Sequence, residues 1–397
     1  MKRPVNKEFH IEVDCQQRSH YEEKICGDVF LSKRIREEGR IIAVLSDGMG
    51  HGVKANILAT LSATMALNFT REHKEVEKIA SIIMNTLPIC SERKISYATF
   101  TIIDIEIDRR VTILEFDNPP CIVIRGTEIY EPSWEKVELT EGRHAGRQLV
   151  TCSFTAGKED RIISCTDGVL QSGLGSESYP SGWGRENLIS YSRMIISSEP
   201  TISAGKLAAK IVTMAHKNDG YRSRDDTSCA GIYFREPRKL LLCTGPPYEK
   251  DNDRLLASKV MDFPGKVIIS GGTTADIIAR ETGKEITDNM VFEDPELPPE
   301  SFIKGIDLVT EGILSLQKVA EILGNYKKYK PGKGPADKIV RLFMESDEIM
   351  FIIGTRINIA HQDPSLPVGL EIRRNVVKKL ASLLEENWLK EVYLEFI

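Results

Sequence analysis

The sequence predicts a mixed α/β (α+β) chain of two domains, and three observations carry that reading. From residue 9 to about residue 234, short apolar runs follow one another as a strand meander with few helices between them. From residue 239 onward, strands and helices alternate, the pattern of a second, smaller α/β domain. Between the two lies "REPRK", residues 235–239, a charged, proline-bearing boundary that divides the chain into 1–237 and 238–397. The 397 residues are enough for two such domains.

Composition narrows the function classes. A hydrophobic fraction of 41% and a charged fraction of 28% are ordinary for a soluble globular protein. A net charge of −5 argues against a nucleic-acid partner gripped by a broad basic surface. No apolar run approaches bilayer length, and the first residues, MKRPVNKEFHIEVD, lack an apolar signal core, so no membrane partner is expected. The eight cysteines form no CxxC pair and no zinc-ligand spacing. Scattered in this way, they imply reduced thiols in a cytoplasm.

Each element follows from its pattern. "FHIEV" and "DVFLS" read as short strands, and the run "IIAVLS" makes a third. It leads into Asp47 and then Gly48, Gly50 and Gly52. From Val53 to Phe69 the spacing predicts a helix, with Ile57, Leu61, Met65 and Phe69 one turn apart. A second helix is expected around Val76, Ile79, Ile83 and Leu87. "TIIDIEID" alternates isoleucines with acids and predicts a half-buried strand. "VTILEF", "CIVIRG" and "EIYE" continue the meander, broken at Asn118, Pro119 and Pro120. "RIISC" is another apolar run, ending at Thr166, Asp167 and Gly168. A Gly/Ser-rich loop, "QSGLGSESYPSGWG", precedes a helix near Ala204 to His216, and Asp225 and Asp226 then introduce the strand "TSCAGIYF".

In the second domain "KLLLCTG" and "KVIIS" predict strands, with helices at 253–262 and 274–282. Helices are expected through "LVTEGILSLQKVAEIL", from Ala336 to Glu345 and from 370 to 388, with a strand at "EIMFIIG". In "KVIISGGTTADIIAR", Gly271 and Gly272 after a strand, with Thr273 or Thr274 as helix cap, give a turn geometry able to hold an anion, although an ordinary strand–helix connection has the same signature. The domain is expected to be regulatory, or to bind a ligand or partner, with simple dimerisation into a homodimer as the plainer alternative.

The chemistry is concentrated in acids. Asp28 opens a strand, Asp47 and Asp167 end strands, and Asp225 precedes one. Strand ends of one sheet system can converge, and clustered carboxylates without a counter-ion repel and raise one another's pKa values. A divalent cation reverses that, and all-oxygen ligands select hard cations such as Mg²⁺, Mn²⁺ or Ca²⁺. No Ser-His-Asp order, P-loop or HExxH motif competes, which leaves metal-activated water as the best nucleophile.

In order, "GDVF", "SDGMGHG", "CTDGV" and "RDDTS" resemble the motifs of the metal-dependent PPM-type protein serine/threonine phosphatases, in the bacterial stage II sporulation branch. "DNPPCIVIRG" is similar to that branch's turn between two central strands. The likeness covers roughly residues 8–235. It implies a four-layer αββα sandwich, two central sheets flanked by pairs of antiparallel helices. It also implies a cytoplasmic hydrolase of phosphoserine or phosphothreonine on a bacterial signalling protein, with two Mn²⁺ or Mg²⁺ ions. By motif, Asp47 would bridge the ions with help from the Gly48 carbonyl. Asp28 would hold the second ion, and Asp167 and Asp225 would complete the shell of the first. A water between the ions would attack phosphorus in line.

Other residues are read more plainly. Asp225 matches the family ligand better than Asp226, His51 reads as a loop residue, and Arg18 as a solvated one. The Arg–Glu pairing that eukaryotic members carry ahead of the first Asp is missing, so the phosphate contact stays unassigned. Two rival functions remain: a phosphatase-fold scaffold that binds partners, and a phosphatase of small phosphorylated metabolites.

Overall fold

The computed structural model describes residues 9–35, 37–73, 78–79, 82–83, 86, 98–139, 146–289, 292–326, 329–356, 368–388 and 390–397. The chain forms two compact units, residues 1–236 and 237–397.

In the first unit, strands β1 (His10–Arg18), β2 (Val29–Ile35), β3 (Arg40–Gly48), β4 (Ala98–Ile105), β5 (Arg110–Phe116), β6 (Ile122–Arg125), β7 (Glu128–Tyr130), β8 (Trp134–Glu138), β9 (Gln148–Thr155), β10 (Asp160–Cys165) and β11 (Thr227–Arg235) build two sheets. One has the order β1-β11-β10-β6-β7 and the other β2-β3-β4-β5-β9-β8, with antiparallel pairing throughout. Alternation on β3 explains the layering. Ile41 and Ala43 point into the core between the sheets, beside Ile162 and Ile232 of the other sheet. Ile42 and Val44 point the opposite way, against helix α1 (Gly52–Arg71). On the far side, α3 (Gly184–Ser198) and α4 (Ala204–Asn218) cover the first sheet through Leu188, Ile195, Leu207 and Ile211. A short helix α2 (Asp167–Leu170) follows β10 directly. Helix, sheet, sheet, helix: the expected four layers are present.

Three local expectations change. Helix α1 does not seat itself through Ile57 and Leu61, which are about half exposed; its buried face is Ala55, Ala59, Ala63 and Ala66 with Leu67. Small residues let the helix axis approach β3 closely, which larger side chains would forbid. The "DNPP" turn carries the chain from β5 in one sheet to β6 in the other. The "QSGLGSESYPSGWG" segment runs straight into α3, a helix that the Gly/Ser-rich reading left out. The second helix expected around Val76, Ile79, Ile83 and Leu87 falls largely outside the described residues; Ile79 and Ile83 are buried.

The second unit is doubly wound. Strands β12 (Lys239–Thr244), β13 (Lys266–Ser270), β14 (Ile286–Asp288), β15 (Ser301–Ile303), β16 (Leu308–Thr310), β17 (Glu348–Ile353) and β18 (Glu391–Phe396) form one sheet of order β14-β15-β16-β13-β12-β17-β18. The five strands from β16 to β18 are parallel, and β14 and β15 add an antiparallel edge. Helices α5 (Asp253–Met261) and α6 (Gly272–Thr282) pack on one face around Leu241, Ile269 and Ile278. Helices α7 (Ile313–Gly324), α8 (Pro335–Glu345) and α9 (Val368–Trp388) pack on the other around Leu242, Phe343 and Phe351. "LVT" of the expected long helix is strand β16 instead, and α7 begins only after Gly312. The cap of α6 is Gly271, not a threonine; Thr274 lies inside the first turn. Among the described residues no helix is long and apolar enough to cross a membrane.

Candidate metal centre

Adjacent strand ends bring the acidic motifs together. Cys165 of β10 pairs with Cys229 of β11. The residues just beyond, Thr166 and Ser228, therefore face one another: the Ser228 amide donates to Thr166 Oγ1 at 3.0 Å and the Thr166 amide to the Ser228 carbonyl at 3.1 Å. Both hydroxyls turn to one carboxylate. Thr166 Oγ1 donates to Asp28 Oδ2 at 2.9 Å and Ser228 Oγ at 2.7 Å. Asp28 is only 2% exposed, and its other oxygen, Oδ1, is buried and accepts no hydrogen bond among the described residues.

Asp47 stands one residue before the end of β3, opposite Thr99 of β4. Gly48 follows, and a Cβ there would lie 2.1 Å from the Ala55 carbonyl oxygen, so only glycine lets α1 return this close to the strand. Asp167 opens α2, its Oδ2 accepting from Gln171 Nε2 at 2.8 Å. Gly168 is pressed against the last acidic pair: a Cβ would sit 2.2 Å from the Asp226 carbonyl oxygen and 3.3 Å from Asp225 Cβ. Asp225 Oδ1 accepts from the Asp226 amide at 2.8 Å.

The electrostatics follow from this crowding. Burial, then the charges of Asp28, Asp167 and Asp225, push the Asp47 carboxyl up to about 10. Burial pushes Asp28 up to about 7 against the pull of the Ser228 and Thr166 hydroxyls. Burial, then the charge of Asp167, pushes Asp225 up to about 6. Three carboxylates from separate segments thus act on Asp47.

Asp226 has a different place. It is 2% exposed, its Oδ1 accepts from the His20 amide at 3.0 Å, and its Oδ2 is buried with no hydrogen-bond partner among the described residues. Gly27 makes room for it, since a Cβ there would approach Oδ2 to 2.6 Å. His51 caps α1, stacks on His20 with ring centroids 4.5 Å apart, and lies 3.0 Å from Glu23 through Nδ1. Arg18 lies 3.4 Å from His216 Nε2. Thr166, Ser228, His20 and Glu23 are the residues that sequence reasoning passed over. The first two were inside the quoted motifs "CTDGV" and "RDDTS", next to the acids they serve.

The donor chemistry fits a hard dication. Two buried carboxylate oxygens without donors, Asp28 Oδ1 and Asp226 Oδ2, sit among raised acids that a positive charge would relieve. Among the described residues no three His, Cys, Asp or Glu side chains draw together enough to enclose an ion by themselves. Ions such as Mg²⁺ are held by one or two carboxylates and keep several waters.

Residues 37–234 match the model of the stage II sporulation protein E family. This segment belongs to that branch of the PPM-type phosphatases. Asp47, Asp167 and Asp225 lie inside the matched range, and Asp28 just before it. A comparison with curated proteins finds no match to the chain. Among solved structures, the chain is similar to the phosphatase domain of the cell fate determinant SpoIIE from Bacillus subtilis, at 13% identity and a TM-score of 0.44, over 58% of this chain and 95% of that one. A SpoIIE structure that adds a fragment of the regulatory domain gives 16% and 0.47, over 58% and 65%. RsbX in complex with magnesium gives 19% and 0.39, over 57% and 96%.

Proposed function

We propose that residues 1–237 hydrolyse phosphoserine or phosphothreonine on a bacterial signalling protein, using two divalent cations, Mn²⁺ or Mg²⁺. One observation carries this reading: Asp47 feels the charges of Asp28, Asp167 and Asp225 together, although the four come from separate segments. When bound, the cations supply the charge that acidifies a water and offsets negative charge on the phosphoryl oxygens. The chain's part is to hold and orient. Asp47, with the Gly48 carbonyl, would hold both cations, Asp28 one of them, and Asp167 and Asp225 the other. Thr166 and Ser228 fix the Asp28 carboxylate by donating to a single oxygen, which leaves the other oxygen available. Asp28 and Asp47 hold protons more tightly than ordinary carboxylates, so a cation would compete with protons there and its affinity would rise with pH. Residues 238–397 act as a regulatory or ligand-binding module and contribute none of these groups.

The test is hydrolysis of a phosphopeptide panel and of small phosphate esters, with Mn²⁺, with Mg²⁺ and with EDTA. Activity in either metal, abolished by EDTA and lowered on the order of a hundredfold or more in Asp47→Asn, supports the reading. Full turnover in EDTA would overturn it. Preference for small esters over every phosphopeptide would move the substrate class to phosphorylated metabolites.

A further inference from the structure

The second unit has an edge built differently from the rest of it. In the register of the parallel strands, Thr244, Ser270, Thr310 and Ile353 end together. Each is followed within two residues by a glycine: Gly245, Gly271, Gly312 and Gly354. The chain leaves β12 toward β13 on one side and later returns to β17 on the other, so the strand order reverses between β12 and β17. In open α/β sheets the crevice outside the strand C-termini at such a reversal is where ligands bind.

That crevice holds a guanidinium. Arg373 of α9 reaches across Gly245, where a Cβ would meet its Nη1 at 2.4 Å, and Gly245 accommodates it with φ of +85°. Its Nη1 donates to the Gly354 carbonyl at 3.2 Å, while Nε is buried without an acceptor among the described residues. Among the described residues no carboxylate forms an ion pair with it, and burial lowers its pKa. A largely buried guanidinium without an anion is unfavourable. On its other side Gly245 donates its amide to Thr274 Oγ1 at 2.8 Å, which joins the first turn of α6 to the same spot. Amides of a helix first turn have no partners within the helix.

Two strands away is a complementary group. Glu311 follows β16, and its Oε2 is buried with no donor among the described residues. Ser270 Oγ donates to the Glu311 and Gly312 carbonyls, both at 3.1 Å, and a Cβ on Gly312 would be 3.5 Å from Gly271 Cα, so this end of the edge is tightly joined. Two strand spacings separate Glu311 from the Arg373 position, roughly 10 Å.

We propose that the edge formed by Gly245, Gly271–Thr274, Glu311 and Arg373 binds a small molecule carrying a phosphorylated sugar. Its phosphate sits between the Arg373 guanidinium and the first turn of α6, and a sugar hydroxyl donates to Glu311. The arrangement needs both an anion and a donor, which distinguishes the ligand from free phosphate. A sugar phosphate and a nucleotide share this chemistry. The site stands apart from the phosphatase reading, because none of its residues belongs to the acidic cluster.

The experiment is calorimetric titration of the full chain in EDTA, so that no cation-dependent phosphate site operates in the first unit, with ribose 5-phosphate, AMP and inorganic phosphate. We expect saturable binding of at least one sugar-bearing ligand, tighter than that of phosphate. Arg373→Gln should weaken all phosphate-bearing ligands tenfold or more, and Glu311→Gln should weaken only those with a sugar. Gly272 has open space around its Cβ position, so Gly272→Val should fold normally yet obstruct the first turn and weaken binding. It decides the matter if Arg373→Gln melts early. Tighter AMP than ribose 5-phosphate identifies a nucleotide, and the reverse a sugar phosphate. No binding of any of the three at millimolar concentration, or unchanged affinity in Gly272→Val, overturns the proposal.

Discussion

Ser228 donates its hydroxyl to Asp28 at 2.7 Å across 200 residues of sequence, and this bond sets which oxygen of Asp28 is free. Removing it should act on the site before it acts on the fold. In Ser228→Ala the Asp28 carboxyl loses a group that pulls its pKa down, so its proton is held more tightly and cations compete less well. We expect Mn²⁺ affinity to fall severalfold at pH 7, with recovery at higher pH, and stability to fall by about 1–2 kcal/mol. Titration calorimetry at two pH values and urea unfolding check both parts; a pH-independent loss of affinity would contradict the cause given.

The cluster should also leave a pH signature on stability. Burial and the charge of Asp167 push the Asp225 carboxyl up to about 6, above the ordinary carboxylate range, so the folded state holds this proton more tightly than the unfolded state does. Its stabilising contribution is complete below the unfolded value and is lost as pH rises through the folded one. In EDTA, the melting temperature of the native chain relative to Asp225→Asn should therefore drop between about pH 4 and pH 6. Mn²⁺ binds only the folded cluster, so millimolar Mn²⁺ should raise the native melting temperature by mass action and should raise Asp167→Ala less. Equal Mn²⁺ shifts in the two proteins would put the ion elsewhere.

Two glycines of one motif should respond differently to a methyl group. Gly48→Ala drives a Cβ to 2.1 Å from the Ala55 carbonyl oxygen, a backbone atom that can move only with the helix. A loss of about 1–3 kcal/mol is expected, together with a fall in turnover as α1 shifts. Gly50→Ala meets nothing within 4 Å and suffers only its φ of +88°, a penalty of about 1–2 kcal/mol. Denaturant midpoints measure the stabilities. The discriminating readout is turnover, which Gly50→Ala should largely keep.

A chain ending at Glu236 should bind Mn²⁺ and hydrolyse a small ester. Asp28, Asp47, Asp167 and Asp225 all lie in the unit of residues 1–236, which has its own core between two sheets. Normal Mn²⁺ binding without turnover on any ester would mean that residues 237–397 complete the active site.

Much of this architecture could be read along the chain, because periodicity and turn residues are local signals. The strand carrying Asp47 and the one leading to Asp167, the strand–helix alternation after residue 239 and the acids near strand ends all had such signals. Other elements had none. Strand β18 exists because β17 offers it a parallel edge, with Glu348 paired to Glu391, a partnership no local pattern records. "LVT" became β16 for the same reason, pairing with Ile268–Ser270, while Gly312 ended the strand where an unbroken helix had been expected.

By itself, the sequence determined which residue types could do the chemistry and in what order they occur: carboxylates at strand ends, glycines after them, and no rival nucleophile. Only the tertiary structure decided which oxygens are free. Asp28 Oδ2 is taken by Thr166 and Ser228 because β10 and β11 pair in one register, and Asp226 turns inward because Gly27 leaves space for it. It alone also brought Arg373 over Gly245, from residues 128 positions apart. Side-chain direction and burial depend on contacts between distant segments, and those exist only once the sheets have closed.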